Sequence, residues 1–143
     1  PPDYFNAADD SQNQIQKEKK YEKFQILLAE DNPANQILLQ TFLEKLGLFC
    51  DIADNGKIAV EMLSKKKYNL LLLDIQMPVM DGEAALKIIR SDSRYKNLHI
   101  IALTANAMKG DSEKFLKAGC NDYIPKPIDR NLFNKKITKL IQK

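Results

Sequence analysis

Phe24-Gln-Ile-Leu-Leu-Ala-Glu-Asp31 is a short apolar run that ends in two acidic residues. A second run, Tyr68-Asn-Leu-Leu-Leu-Leu-Asp74, also ends in an acid. Short, nearly continuous apolar runs are typical of strands that are buried on both faces of a sheet. If these two strands are neighbours, their carboxylates converge in one cleft and indicate a site there.

Apolar runs alternate with segments of helical period along the rest of the chain. The runs cover 25–29, 48–53, 69–73, 99–103 and 122–125, and the helical segments cover roughly 34–46, 57–65, 83–91, 107–117 and 129–141. Parallel neighbours need crossover connections, which are usually helices. The five repeats therefore predict an α/β fold, a doubly wound five-stranded parallel sheet with five helices.

The helix boundaries carry residues that usually start or stop helices. Pro33 suits a first helical turn, Gly47 ends that helix, and Asn55-Gly56 supplies a turn. Gly82 and Gly119 lie at further predicted boundaries. These positions support the same division into strands and helices.

Length and composition predict a single globular domain. The chain has 143 residues, of which 44% are hydrophobic and 29% charged. Its net charge of +3 comes from scattered lysines rather than a basic stripe, so we expect no nucleic-acid binding. No apolar run reaches the 18 or so residues that span a bilayer, so we expect no membrane contact by this chain.

The amino-terminal segment differs from the rest of the chain. Residues 1–23 are polar without a regular period, which predicts a linker before a domain at 24–143. The start at Pro1, without an initiating Met or a signal-peptide core, predicts a piece of a longer protein, and that parent can be membrane-anchored. Cys50 and Cys120 lack metal or redox spacing, which predicts reduced thiols and a cytoplasmic location.

Ligands of open α/β sheets bind beyond the carboxyl ends of the strands. Glu30, Asp31 and Asp74 lie at such ends, and two carboxylates about 4 Å apart repel by roughly 4 kcal/mol at an effective dielectric near 20. Either shared protons or a cation can offset this repulsion, and oxygen ligands favour Mg²⁺. Because Thr104 and Lys126 follow the next predicted strands, the cation is the favoured interpretation.

These motifs resemble the receiver (response-regulator) domain family of two-component phosphorelays. The residues that carry the resemblance are Glu30-Asp31, Leu-Leu-Asp74-Ile-Gln-Met-Pro-Val-Met-Asp-Gly82, Leu103-Thr104-Ala105, and Lys126-Pro127 with Tyr123. The resemblance covers residues 24–143 and implies a flavodoxin-like strand order of 2-1-3-4-5. It also implies a domain that promotes its own phosphorylation and dephosphorylation and acts mainly as a signalling switch.

The resemblance assigns a role to each acid of the cleft. Asp74 is the implied nucleophile, which takes a phosphoryl group from a phosphohistidine. Asp31, Asp74 and the main-chain carbonyl of Gln76 would bind Mg²⁺, or alternatively Mn²⁺, with Glu30 acting through a coordinated water. Lys126 would donate to a phosphoryl oxygen, and its bond to the following proline could be cis.

The resemblance also implies a switch. Thr104 would move to the phosphoryl group, and Tyr123 would turn inward, which changes the surface of the last two helices and the strand between them. Gln76 and Asn106 occupy positions that tune the lifetime of the phosphoryl group. The implied partner is a histidine kinase or a histidine phosphotransfer domain.

Several alternatives remain at this point. The setting is either the carboxyl-terminal receiver of a hybrid sensor histidine kinase or a stand-alone single-domain response regulator. A Mg²⁺-dependent phosphatase of the haloacid-dehalogenase type needs an acid two residues after its nucleophile, where this chain has Gln76. A flavodoxin-like cofactor binder needs a phosphate loop that Glu30-Asp31 would repel. A degenerate receiver would lack some of the motif residues, all of which are present.

Overall fold

We describe a computed structural model of the chain over residues 23–77, 79–105 and 109–142, with backbone alone for 109–112. The strands are β1 (Ile26–Ala29), β2 (Cys50–Ala53), β3 (Leu70–Asp74), β4 (His99–Thr104) and β5 (Asp122–Pro125). The helices are α1 (Pro33–Lys45), α2 (Gly56–Lys65), α3 (Gly82–Ser91), α4 (Lys109–Lys117) and α5 (Arg130–Ile141), with a 3-10 turn at Ser93–Tyr95. The predicted linker at 1–23 lies almost wholly outside the described residues and stays a prediction.

All five strands are parallel and form one sheet in the order β2-β1-β3-β4-β5. This order confirms the predicted doubly wound fold. The strand order reverses direction between β1 and β3. Glu30 directly follows β1, and Asp74 is the last residue of β3. The carboxyl ends of these two strands therefore flank the crevice where ligands of such sheets bind.

Two apolar cores cover the two faces of the sheet. On one face, alternate strand residues such as Leu27 and Leu71 pack against α2, α3 and Phe115 of α4. On the other face, their neighbours Leu28 and Leu72 pack against α1 and α5. Successive side chains of a strand point to opposite faces, so continuous leucine runs fill both cores. Full burial of one leucine contributes about 1.5–3 kcal/mol.

Two local predictions differ from the structure. The predicted strand 48–53 begins only at Cys50, because Leu48 is buried in the turn after α1, where its amide donates to Leu43 O. Asn55-Gly56 does not form a separate turn. Instead, the side chain of Asn55 caps α2 by accepting from the amide of Ile58, and Gly56 is the first helical residue.

Pro33 and Gly47 lie at the start and the end of the first helix, as the sequence analysis predicted. Pro33 opens α1, and Gly47 follows its end with a positive φ of 80°. Among the residues that the structure describes, no helix combines the length and apolar character needed to cross a membrane.

Candidate active site

The site begins with two acids that the sheet buries side by side. Ala29 pairs with Leu73 across β1 and β3, so the next residues, Glu30 and Asp74, lie level at the carboxyl edge. Glu30 is 0% exposed and Asp74 is 2% exposed, whereas Asp31 is exposed to solvent. Burial of two acids is costly unless opposite charge or hydrogen bonds compensate them.

The three acids form a cluster whose geometry fits a cation. One carboxylate oxygen from each of Glu30, Asp31 and Asp74 lies within 4.8 Å of the others. Such a set of hard oxygen donors is suited to Mg²⁺ rather than to zinc or copper. Gln76, the fourth predicted ligand, is adjacent in space, because its backbone amide donates to Asp74 Oδ1 at 3.0 Å.

Lys126 supplies positive charge to both buried acids. Its ammonium nitrogen lies 3.1 Å from Asp74 Oδ2 and 3.4 Å from Glu30 Oε2. The Lys126–Pro127 peptide bond is cis, as the resemblance allowed. The backbone amide of Lys126 donates to Thr104 O at 2.8 Å, so the end of β5 is registered against β4.

The first turn of α1 holds Glu30 in place. The Asn35 side-chain amide donates to Glu30 Oε1 at 2.9 Å, and the Gln36 side-chain amide donates to the Glu30 carbonyl at 2.6 Å. Burial, together with the hydrogen bond to Asp74, raises the pKa of the Glu30 carboxyl to about 7, even though Asn35 and Lys126 act to lower it. The Lys126 ammonium offsets part of the negative charge of the two buried acids.

Thr104 and Tyr123 lie on the neighbouring strands. Thr104 ends β4 and is buried, at 1% exposure. Tyr123 is half-buried and pairs with Ala102, two residues before Thr104. Residues two apart in a strand share a face, so Thr104 and Tyr123 lie on the same side of the sheet. Asn106, predicted to tune the phosphoryl lifetime, lies outside the described residues.

Two supporting residues escaped the sequence analysis. Asn35 orients Glu30, and its only sequence signal is its place in the first turn after Pro33. Gly82, which the sequence analysis named as a helix boundary and as the end of the Asp74 motif but gave no role, lies directly against the end of β3. Its amide donates to Ile75 O at 2.9 Å, and a Cβ there would lie 2.6 Å from Ile75 Cα. Glycine is thus required by close approach of two backbones.

A family profile described as the response regulator receiver domain matches residues 26–138. The chain belongs to this family. Membership confirms the resemblance found in the sequence, and receiver domains are the phosphoryl acceptors of two-component phosphorelays. It also favours the receiver over the phosphatase alternative.

Curated relatives include sensor kinases far longer than this chain. Hybrid signal transduction histidine kinase I of Dictyostelium discoideum is 43% identical over 128 residues, which is 82% of this chain and 7% of the kinase. Signal transduction histidine-protein kinase BarA of Escherichia coli is 40% identical over 104 residues, which is 73% of this chain and 11% of the kinase. The chain thus spans only a small part of these relatives.

Two solved structures share the fold at useful identity. The receiver domain of sensor histidine kinase PA1611 from Pseudomonas aeruginosa, with magnesium in its active-site cleft, has a TM-score of 0.76 and 38% identity, covering 84% of this chain and 98% of that one. A complex of the Saccharomyces cerevisiae histidine phosphotransfer protein Ypd1 with the Ssk1 receiver domain matches with a TM-score of 0.77 and 35% identity. The match covers 82% of this chain and 88% of that one.

Proposed function

We propose that Asp74 is the phosphoacceptor of this receiver domain. The observation that carries the proposal is the environment of its carboxylate. Oδ1 accepts from the backbone amide of Gln76 at 3.0 Å, while Oδ2 lies 3.1 Å from the Lys126 ammonium nitrogen. Both oxygens are therefore oriented, and the carboxylate lies at the strand switch where a ligand can reach it.

The reaction is a phosphoryl transfer between two side chains. An Asp74 oxygen attacks phosphorus, the P–N bond of a phosphohistidine breaks, and its electron pair stays on the imidazole nitrogen. The product is an acyl phosphate on Asp74 and a free histidine on the donor. Lys126 is placed to bind a phosphoryl oxygen, which would exchange part of its pairing with Asp74 and Glu30 for the new charge.

Asp31 and Asp74, with the main-chain carbonyl of Gln76, are the proposed direct ligands of a Mg²⁺ ion, and Glu30 would act through a coordinated water. Magnesium would offset the charge that the phosphoryl group adds to the acidic cleft. The oxygen cluster supports this assignment, as does the magnesium in the cleft of the PA1611 receiver domain. Asn35 would keep Glu30 in position for this role.

The readout of phosphorylation is proposed to pass through Thr104 and Tyr123. Thr104 would bond the phosphoryl group, and Tyr123 would move along the face of the sheet toward it, changing the surface formed by α4, β5 and α5. Their shared face and register support this step. Gln76, exposed beside Asp74, and Asn106 are the proposed determinants of phosphoryl lifetime.

The proposed setting is the receiver of a hybrid sensor histidine kinase located in the cytoplasm. The relatives named above support this setting, because hybrid kinases are among them. The proposed partner is a histidine phosphotransfer domain or the dimerisation helices of a kinase. The Ypd1 complex of a related receiver supports a phosphotransfer partner.

Mass spectrometry after incubation with Mg²⁺ and a small acyl-phosphate donor tests the proposal. The parent chain should gain one phosphoryl group, and Asp74→Asn should gain none. Asp54→Asn is a matched control, because Asp54 also follows a strand at this edge but lies outside the acidic cluster. A label that persists in Asp74→Asn, or that is lost in Asp54→Asn alone, would contradict the assignment.

A further inference from the structure

A small charged cluster lies beside the Tyr123 ring on the edge strand β5. The Lys136 ammonium nitrogen, on α5, lies 5.6 Å from the centroid of that ring. The same nitrogen is 2.8 Å from Asp122 Oδ1, and this oxygen accepts a hydrogen bond of 2.8 Å from the backbone amide of Tyr123. Asp122, Tyr123 and Lys136 therefore form one connected unit, which we call the Tyr123 clamp.

Lys136 reaches the ring around the open edge of the sheet. Its helix packs on the face opposite Tyr123, since Phe133 and Ile137 belong to one core while Tyr123 packs at the margin of the other. β5 has β4 as its sole neighbour in the sheet of the described residues, so nothing within that sheet covers its outer side. The cation thus contacts the ring at the sheet edge.

This contact opposes movement of the ring toward Thr104. Thr104 lies on the same face, two residues further along the register, or about 6–7 Å at the usual rise of a strand. The ion pair with Asp122 anchors the Lys136 ammonium, so the cation cannot follow the ring without breaking that pair. The attraction between cation and ring is lost when they separate.

We propose that Lys136 is a positioning residue that holds the Tyr123 ring at the sheet edge and thereby raises the threshold for switching. The inference rests on the proposed function, in which phosphorylation of Asp74 draws Tyr123 toward Thr104. Asp122 contributes by fixing the ammonium group. Removal of the Lys136 charge should therefore favour the phosphorylated conformation.

The test is a titration with beryllium fluoride, a phosphoryl mimic, in the presence of Mg²⁺. Lys136→Met retains the apolar stem but removes the charge, and it should bind beryllium fluoride about two- to fivefold more tightly, the range expected for loss of one exposed cation–π contact. Lys136→Arg retains a cation that pairs with both rings and carboxylates, so it should bind as the parent does. Lys135→Met, at an exposed neighbouring position, should also be unchanged.

Fluorine NMR of the fluorotyrosine-labelled chain provides a readout that a purely structural role would not move. The Tyr123 resonance, identified by its loss in Tyr123→Phe, should shift in Lys136→Met toward its ligand-saturated position before any ligand is added. Lys136→Gln provides a second neutral variant if methionine disturbs folding. Parent-like affinity and resonance in a folded neutral variant would overturn the inference, whereas failure of the parent chain to bind beryllium fluoride would overturn the proposed function instead.

Discussion

At the scale of single residues, the site depends on a glycine that takes no part in the chemistry. The Gly82 amide donates to Ile75 O, and its Cα faces the backbone of Asp74 and Ile75 without room for a side chain. The position of the predicted phosphoacceptor is therefore fixed by α3 as well as by the sheet. Catalysis by positioning is sensitive to displacements of about 1 Å.

Gly82→Ala should disturb both stability and phosphorylation. The new Cβ would overlap the Asp74 carbonyl and Ile75 Cα, and such overpacking costs about 1–3 kcal/mol. We expect a lower urea midpoint and slower labelling by an acyl phosphate. The neighbouring Glu83→Ala, which removes only an exposed pair with Lys114, should retain parent-like values in both assays. Equal behaviour of the two variants would contradict this prediction.

The two cysteines should be inert in the folded chain. Burial raises the pKa of the Cys50 thiol to about 12 and that of Cys120 to about 11, and the thiolate is the reactive form. At pH 8 we expect both thiols to react far more slowly with a disulfide reagent in the native chain than in urea. Rapid reaction of either cysteine in the native chain would contradict the burial described for these thiols.

The same pKa shifts predict a loss of stability in alkali. A thiol with a raised folded pKa favours the folded state while it is protonated, below the unfolded value of 9.0. That contribution is lost as the pH rises from 9 toward the folded pKa, because only the unfolded state gains the charged form. The free energy of unfolding in urea should fall over this pH range in the parent chain. It should fall less in the double variant Cys50→Ala, Cys120→Ala.

At the scale of elements, Arg90 connects the end of α3 to the segments around it. Its guanidinium donates to the carbonyls of Gly119, Tyr95 and Leu98 and to the side chain of Asn121, at 2.7–2.9 Å. These groups belong to the 3-10 turn, the approach to β4 and the loop between α4 and β5. One side chain thus joins the two connections that lead into β4 and β5.

Arg90→Met should destabilise the chain more than a comparable surface change. Loss of four hydrogen bonds, at about 0.5–1.5 kcal/mol each, predicts about 2–4 kcal/mol once partial solvation of the freed carbonyls is allowed for. Arg90→Lys should recover little, because an ammonium lacks the guanidinium fork. Lys87→Met, one turn earlier and exposed, is the matched control for urea unfolding. A similar midpoint for Arg90→Met and Lys87→Met would refute this role.

At the scale of the whole molecule, exposed apolar side chains lie on segments that follow the strands of the site. Ile37 of α1 is 64% exposed, and Val79, in the loop that follows Asp74, is 81% exposed. α1 also carries Asn35, which contacts Glu30. A protein that delivers a phosphohistidine to Asp74 has to approach this edge of the sheet, so we expect it to cover these side chains.

Ile37→Ser should therefore slow transfer from a phosphorylated histidine phosphotransfer protein several-fold. It should leave labelling by a small acyl phosphate unchanged, because that donor needs no docking surface. Phe49→Ser is the matched control: Phe49 is 62% exposed but precedes β2, at the amino edge of the sheet. Equal transfer rates for Ile37→Ser and Phe49→Ser would exclude this surface from docking.

The sequence by itself determined the fold and the acidic residues at the strand ends of the candidate site. The leucine runs of β1 and β3 specify strands buried on both faces, and their terminal acids are read directly from the chain. These features are local, since a strand and its last residue are contiguous in sequence. The family motifs around Asp74 and Lys126 then supplied the chemistry that the residues alone left open.

Only the tertiary structure decided how these groups meet. The Lys126 contacts with Glu30 and Asp74, the support of Glu30 by Asn35, the need for glycine at 82 and the Tyr123 clamp all join residues from different elements. Such contacts depend on strand order, register and helix packing, which bring distant segments within a few ångströms. Periodicity records which face a residue occupies, but it carries no information on which side chain lies opposite.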